Sequence, residues 1–556
     1  MVSGDLFCEV LAARGGRRGT RLFMFCPDIL GLSHEIAAAS AWRGSKVLKK
    51  RSSLYPFAVL SAVFVVCLVM SSCGQEYYVD GRNLPPSGVL NRVMIAEQTP
   101  SALPFVDAYY DIRHAYSASS GSFSIAGYSG NGPLTIENLP EQLAGAVYGE
   151  FDGSFDLVSY AQEKISTPVT VAGGLSSTTE GSPYNGIMMS RDLNYVYAAN
   201  PASHLVSVVN RSGGVSLSLN LPNAYGVSVN PGGTVALFFV ANASQAPNDS
   251  DMPSVNPGIK PATFAVYSMV QLTAAQQTLA TNNPNYVDPT YGTEAQDCEP
   301  QKLPTWCVFP VSTGANASFD HPIKAVFSPD GTTAYVVNCG PECGGTTASI
   351  TTIPITASAL NSGSYGGSGI ALQAQSTIPI PGGATDADFN GNTLYIAGQQ
   401  QQTTGPYAGD YGGELTLMNT PANTIAGTYS ISDGTHNRMV FGDDNTLWIG
   451  SSHCAQGVRY AEAQTGANIA FGCLTMFNTS NNAVFVDSYL GDATGVAAVT
   501  GLHKIYTAEG GQVYIYSTVT GSNGLVQLDN SNVTVSGTAV DVAYMDATTD
   551  ADNTIY

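Results

Sequence analysis

The residues best equipped for chemistry fall at one register. Three positions before the aromatic pivots Phe327, Phe389, Phe441 and Tyr544 of successive hairpin turns stand Lys324, Asp386, Arg438 and Asp541. In the uncharged units the same position holds Gly186, Gly226 and Val496. His321 and His436 lie just before, nearer the start of their strands. If these strands line a central channel, two cations and two carboxylates at one level ring its mouth. Such a ring could bind a polar ligand, or supply the acid and base of a hydrolysis. The plainer alternative is a polar channel filled with water and internal ion pairs.

The elements that must position these groups are short hairpins. The clearest runs from His321 to Gly345, HPIKAVFSPDGTTAYVVNCGPECGG. An apolar run (325–327) meets a Ser328-Pro329-Asp330-Gly331 turn and a second run (334–338). Pro presets φ and Asp-Gly supplies the bend, so the stretch reads as two antiparallel strands. Degraded copies recur at 187–200, 227–242, 387–398, 439–451 and 496–510, and another starts at 542–556. Their aromatic positions, Tyr197, Phe239, Tyr335, Tyr395, Trp448, Tyr506 and Tyr556, are spaced by 42, 96, 60, 53, 58 and 50 residues. A repeat of about 40–60 residues built of short strands predicts an all-β propeller of four-stranded blades. Seven blades are favoured, and the strands at 133–173 could add an eighth. A chain ending on the second strand of a unit leaves a bare edge, so N-terminal strands within 93–160 must close the ring. They are expected to serve as its third and fourth strands, in one sheet with 540–544 and 554–556.

The FSPDGTTAYVVN segment resembles the YVTN-type β-propeller repeat, found in bacterial surface and periplasmic proteins and in lactonase-like propellers. The match is good over 321–338, fair at 187–200 and 387–398, and continues over 185–556 as a rhythm. The resemblance implies the fold. It carries over no catalytic residue, because no lactonase catalytic set maps onto this chain.

The double spacing between Phe239 and Tyr335 predicts a rim insertion at about 243–320, rich in Asn, Pro, Asp and Gln. Within it, Ser268–Thr281 reads as the best helical candidate.

The N-terminal 1–72 read as a leader. Lys46, Lys49, Lys50 and Arg51 precede an apolar run, Leu54–Met70, which ends in Ser71-Ser72-Cys73. A basic, then apolar, then small-residue order marks a secretory signal. A Cys at the cut resembles the bacterial lipobox, implying lipidation of Cys73 and a tether over 73–100. Residues 1–45 lie ahead of any ordinary signal and are read as a misassigned start. Mass spectrometry of the precursor is therefore expected to find no peptide from them.

The leader holds nine basic and four acidic residues, which leaves 12 basic against 38 acidic, a net of −26, for 73–556. So acidic a body excludes nucleic acid as a partner and does not seek an anionic membrane surface. No D-x-D-x-D-G calcium loop is present, and no nucleophile elbow, Walker loop, zincin helix or dinucleotide fingerprint. No cofactor or metal site is identified. Beyond the leader the chain keeps only Trp306 and Trp448, too few for the tryptophan docking repeats of quinone-dependent propellers.

Six cysteines follow Cys73: Cys298, Cys307, Cys339, Cys343, Cys454 and Cys473. An even count behind an export signal predicts disulfides, with nearest-neighbour pairing giving three local bridges. Cys339 and Cys343 are separated by three residues and follow a strand, so the helix N-terminus that activates a thioredoxin thiol is missing.

Two functions follow. The first is an exported, lipid-anchored binding or scaffold propeller at the bacterial cell envelope, facing the periplasm or the surface, with a protein or glycan partner. The second is a lactonase-like hydrolase at the channel mouth, with Asp or His as base. A divalent cation belongs only to the second.

Overall fold

A computed structural model describes residues 85–113, 123–139, 144–151, 154–170, 188–191, 194–200, 205–210, 216–221, 224–231, 233, 235–240, 264–271, 306–355, 372–521 and 524–546. The leader, Cys73 and most of the tether lie outside them. Strands β1 (Arg92–Glu97) and β2 (Phe105–Asp107) open the fold. Blade 1 follows as β3 (Pro133–Leu139), β4 (Ala144–Gly149), β5 (Ser154–Ser159) and β6 (Lys164–Thr170). Blade 2 is β7 (Met188–Arg191), β8 (Tyr195–Asn200), β9 (Leu205–Asn210) and β10 (Ser216–Asn220). Blade 3 is β11 (Ala224–Val229), β12 (Val235–Val240), β13 (Ala265–Gln271) and β14 (Trp306–Pro310). The extra strand β15 (Ser312–Asn316) precedes blade 4, which is β16 (Pro322–Phe327), β17 (Thr333–Asn338), β18 (Ser349–Pro354) and β19 (Gln373–Pro379). Blade 5 is β20 (Asp386–Asn390), β21 (Thr393–Gln401), β22 (Tyr411–Asn419) and β23 (Thr424–Ser430). Blade 6 is β24 (Thr435–Gly442), β25 (Thr446–Ser452), β26 (Leu474–Asn478) and β27 (Val484–Val486), with helix α1 (Val458–Gln464) between its second and third strands. Blade 7 is β28 (Ala493–Val499), β29 (Lys504–Glu509), β30 (Gln512–Gly521) and β31 (Gly524–Val533), and β32 (Ala539–Tyr544) ends the described chain.

The strand order is that of a propeller, and it has eight blades. Seven sheets are antiparallel hairpin series, and β15 adds to blade 4 by pairing parallel with β19. The eighth is β2-β1-β32. Innermost strands touch in the order β3, β7, β11, β16, β20, β24, β28, β32 and back to β3, so the ring closes.

The favoured count of seven is therefore corrected to eight. Residues 133–170 form a complete blade of their own rather than the outer strands of the closing one. Closure needs only β1 and β2, because β1 pairs directly with β32 through Val93–Tyr544, Met94–Ala543 and Ile95–Val542. The N-terminal strands thus take the second and third places, not the third and fourth. Residues 554–556 lie outside the described residues, and the place expected for them beside β32 is taken by β1.

The hairpin that organises the repeat forms as its sequence predicts. Gly331 sits at φ +68°, its N–H bonds the Ser328 carbonyl at 2.7 Å, and Asp330 accepts from Thr332 N at 3.1 Å. Within the stretch 243–320 expected as a rim insertion, β13 and β14 complete blade 3 and β15 adds to blade 4, while 243–263 and 272–305 lie outside the described residues. Residues 268–271 of the expected helix belong to β13, and 272–281 lie outside the described residues. Val266, Tyr267, Ser268 and Met269 are all buried. A strand packed on both faces loses the alternation that would have separated it from a helix.

The core lies between blades, where each sheet buries apolar side chains against the next; Trp448, Tyr506 and Phe239 are almost fully enclosed. Two of the expected disulfides are present, Cys339–Cys343 and Cys454–Cys473. Cys298 lies outside the described residues, and Cys307 falls on β14. Cys454–Cys473 closes a loop of sequence separation 19, for which chain entropy gives about 3 kcal/mol. Replacing both residues by Ala is expected to lower the unfolding free energy by about that much in denaturant titration. The same change at Cys339 and Cys343 should cost less, because the loop is shorter.

Candidate functional site

Every innermost strand exposes one edge to the channel, and its N–H groups there need partners from outside the sheet. Neighbouring blades supply several of them. Ser228 Oγ of blade 3 accepts from Ala325 N at 2.9 Å, and Asp541 Oδ2 of blade 8 accepts from Ile136 N of blade 1 at 2.9 Å. A bulge recurs near the start of these strands, skipping Leu134, Tyr225, Ile323, Asn437, Thr494 and Val540. It re-aims the next residue. Those residues are Thr135, Gly226, Lys324, Arg438, Gly495 and Asp541. The register in blade 7 therefore belongs to Gly495, not to Val496.

The four charges read from the sequence come together as two ion pairs. Lys324 Nζ bonds Asp386 Oδ1 between blades 4 and 5. Asp386 Oδ1 also takes its neighbour Ala387 N at 2.9 Å. Arg438 Nη2 lies 3.3 Å from Asp541 Oδ2, reaching past blade 7. Gly495 permits this close approach, since a Cβ there would lie 2.9 Å from Asp541 Oδ1 and 2.7 Å from its Cα. The side chains of Asp386 and Asp541 are only 4% and 3% exposed, so the carboxylates are wall, not mouth. Burial pushes the Asp541 carboxyl up, and Arg438 and the N–H groups of Ile136 and Val542 offset part of that.

The histidines do not join this set. His436 is enclosed, with Nε2 on the Ser432 carbonyl at 2.9 Å and Nδ1 unbonded. Burial drives its pKa down to about 4, so it is neutral in the fold. His321 adopts φ +58°, places Nδ1 2.7 Å from Asp320 Oδ1 and lies against the Phe264 ring. Asp320 also accepts from Thr346 and Thr347, and these bonds together with His321 hold its pKa at about 2 despite partial burial.

The face where the innermost strands begin carries carboxylates that the sequence did not single out. Its loops join second to third strands. In blade 4 the Cys339–Cys343 loop holds Glu342, whose oxygens accept from Gln399 N at 3.0 Å and Gln399 Nε2 at 2.9 Å. Gln399 Oε1 then accepts from Gly434 N at 2.9 Å, tying blades 4, 5 and 6 together. In blade 6 the Cys454–Cys473 loop carries α1. Asp433 accepts from Gly413 N at 2.9 Å and from Arg459 N at 2.6 Å. Arg459 spends its guanidinium on the carbonyls of Ile431, Ser430 and Ala470. Between these parts lies a cavity of about 330 Å³ lined by Gln400, Gln402, Glu414, Asp433, Arg459 and Glu462. Among the described residues no group of three or more His, Cys, Asp or Glu is placed to hold a metal ion. One signal for these residues was available: Glu342 lies between paired cysteines. Glu414, Asp433 and Arg459 have none, because they come from separate strands and a loop.

Buried acids on this face make stability depend on pH. Burial pushes Glu342 and Glu509 up to about 7. Between the ordinary value near 4.5 and 7 the folded state binds the extra proton, so stability falls as pH rises through that window. Glu509→Gln keeps the acceptor for Thr507 Oγ1 and removes the charge. It is expected to be more stable than wild type at pH 8, by up to roughly 3 kcal/mol, and nearly equal at pH 4.5. Denaturant titrations at the two pH values check this. His436 acts oppositely, its contribution being lost as pH falls from 6.5 toward 4.

No family model and no curated protein matches the chain. Solved structures similar to it include Kuenenia stuttgartiensis hydrazine synthase, at 13% identity and TM-score 0.42, covering 73% of this chain and 99% of that one. Citrobacter koseri AztD is 10% identical at TM-score 0.41, covering 82% and 97%. The Cps50 (Swd1) β-propeller domain of Myceliophteria thermophila is 10% identical at TM-score 0.31, covering 72% and 88%. At such values the eight-bladed architecture rests on this chain's own strand pairing.

Proposed function

We propose that this chain is an exported β-propeller, lipid-anchored through Cys73, that works as a binding module at the bacterial cell envelope. It presents the face where the innermost strands begin to a protein or glycan partner. The observation that carries this reading is the fate of the channel carboxylates. A hydrolase at the channel mouth needs an accessible base, yet Asp386 and Asp541 are buried and each is held by a cation from another blade. The loops of this face suit recognition instead: two disulfides and the Glu342–Gln399–Gly434 chain hold them in one arrangement. A prearranged surface loses little entropy on binding. The net charge of −26 beyond the leader argues against nucleic acid.

Two measurements test the reading. Labelled fatty acid should enter wild type and not Cys73→Ala, and the variant should leave the membrane fraction; label in neither would remove the anchor. A panel of lactones should be hydrolysed no faster than in buffer. Turnover that disappears in Asp386→Asn or Asp541→Asn would replace the binding module with the lactonase-like hydrolase.

A further inference from the structure

Strand β21 runs past its inner neighbour, because β20 pairs with it only as far as Asp386–Ala397. Gln399 N, two residues on, therefore lies beyond the ladder and takes its partner from blade 4. That partner is Glu342, which accepts from Gln399 N at 3.0 Å and from Gln399 Nε2 at 2.9 Å. Gln399 Oε1 in turn accepts from Gly434 N, so two backbone amides of blades 5 and 6 depend on where Glu342 is held.

Glu342 is held by its loop. It sits on the short helical turn Gly340–Cys343, closed by the Cys339–Cys343 bridge. Gly340 and Gly344 flank it at φ +65° and +86°, angles from which glycine rotates at little steric cost. Beyond them Asp320 anchors Thr346 and Thr347, which confines any opening to the bridged segment. The two disulfides are not equally protected. Cys454 and Cys473 are both enclosed, whereas in the other pair Cys339 is enclosed and Cys343 reaches the surface. Thiol–disulfide exchange needs a sulfur that a thiolate can reach. The exposed bridge also spans a sequence separation of only 4, so the ring gains little stability from it.

Resting on the binding-module reading for the role of this face, we propose that the Cys339–Cys343 bridge is a redox latch. A dithiol reduces it selectively, Glu342 leaves Gln399, and the face over blades 4 to 6 loosens while the ring stays folded. A thiolate of the dithiol attacks Cys343 Sγ and expels Cys339 Sγ, and the second thiol then releases Cys343. Both cysteines end as thiols. The two electrons and two protons come from the dithiol, which closes to a disulfide of its own.

Dithiothreitol titration of the mature protein, followed by alkylation and mass spectrometry, tests the selectivity. Cys339 and Cys343 should label at a dithiothreitol concentration about tenfold or more below that needed for Cys454 and Cys473. In the selectively reduced protein, hydrogen exchange at Gln399 N and Gly434 N should quicken about tenfold or more, while β25 keeps its protection and thermal unfolding stays cooperative. The double variant Cys339→Ser, Cys343→Ser should exchange as fast at these two amides without reductant, and dithiothreitol should not change it there. Labelling of both pairs together, unchanged exchange at Gln399 and Gly434 after reduction, or a double variant unfolded by circular dichroism overturns the latch. Turnover of lactones would remove the binding module and leave these readouts untouched.

Discussion

Deleting residues 536–556 is expected to unfold the entire ring, not just its last blade. The deletion removes β32, and with it the buried side chains of Ala539, Val542, Ala543 and Met545. It also strips β1 of its ladder partner and Arg438 and Ile136 N of Asp541. Two large apolar side chains at about 1.5–3 kcal/mol each, plus several net hydrogen bonds at about 1 kcal/mol, come to roughly 5–10 kcal/mol. Whole domains are stable by only about 5–15 kcal/mol. Differential scanning calorimetry should therefore show the main transition lost or shifted sharply down, and size-exclusion chromatography should show association through the bared edges of β1 and its neighbours. A truncated protein that stays monomeric with an unchanged Tm would mean that the ends do not close the ring.

The second large effect lies at the other end of the same closure. Arg92, 2% exposed, pairs with Glu163 and Asp546, each at 2.8 Å, and also donates to the Tyr160 carbonyl at 2.8 Å. One side chain thus clasps β1, the chain following β32, and blade 1. Glu163 and Asp546 are only 6% and 8% exposed, so Arg92→Ala leaves two buried carboxylates without a cation. Breaking such a pair costs about 3–5 kcal/mol. The loss should be smaller in Arg92→Lys, which keeps a cation beside both acids. Denaturant titrations of Arg92→Ala and Arg92→Lys at pH 7 measure the difference. An equal loss in the two variants would assign the effect to packing against Phe105 instead.

Neither site residue of this clasp was legible beforehand. Arg92 stands in an otherwise apolar run, and its partners are 71 and 454 residues away in sequence. The channel charges were easier, because they share a register with the repeat. Lys324, Asp386, Arg438 and Asp541 were found by counting back from aromatic pivots. Their pairing was not, because Lys324–Asp386 joins adjacent blades whereas Arg438–Asp541 passes over Gly495. Counting back three residues placed Val496 there, because in blade 7 four residues, not three, separate the position after the bulge (Gly495) from Val499, and that extra residue leaves no mark in composition.

What the sequence determined alone was local. Alternating β-branched and aromatic runs, the Ser-Pro-Asp-Gly turn and the repeat spacing settled an all-β propeller, and close cysteine spacing anticipated the two bridges seen. These signals act over a few residues or one repeat, where backbone sterics and turn chemistry decide the outcome. The tertiary structure decided the rest. Eight blades rather than seven follows from which strand meets β32, and β13 is a strand because sheets cover both its faces. Glu342, Glu414 and Glu509 owe their raised pKa values to burial in the folded ring. Such properties depend on groups distant along the chain, and only ring closure brings those groups together.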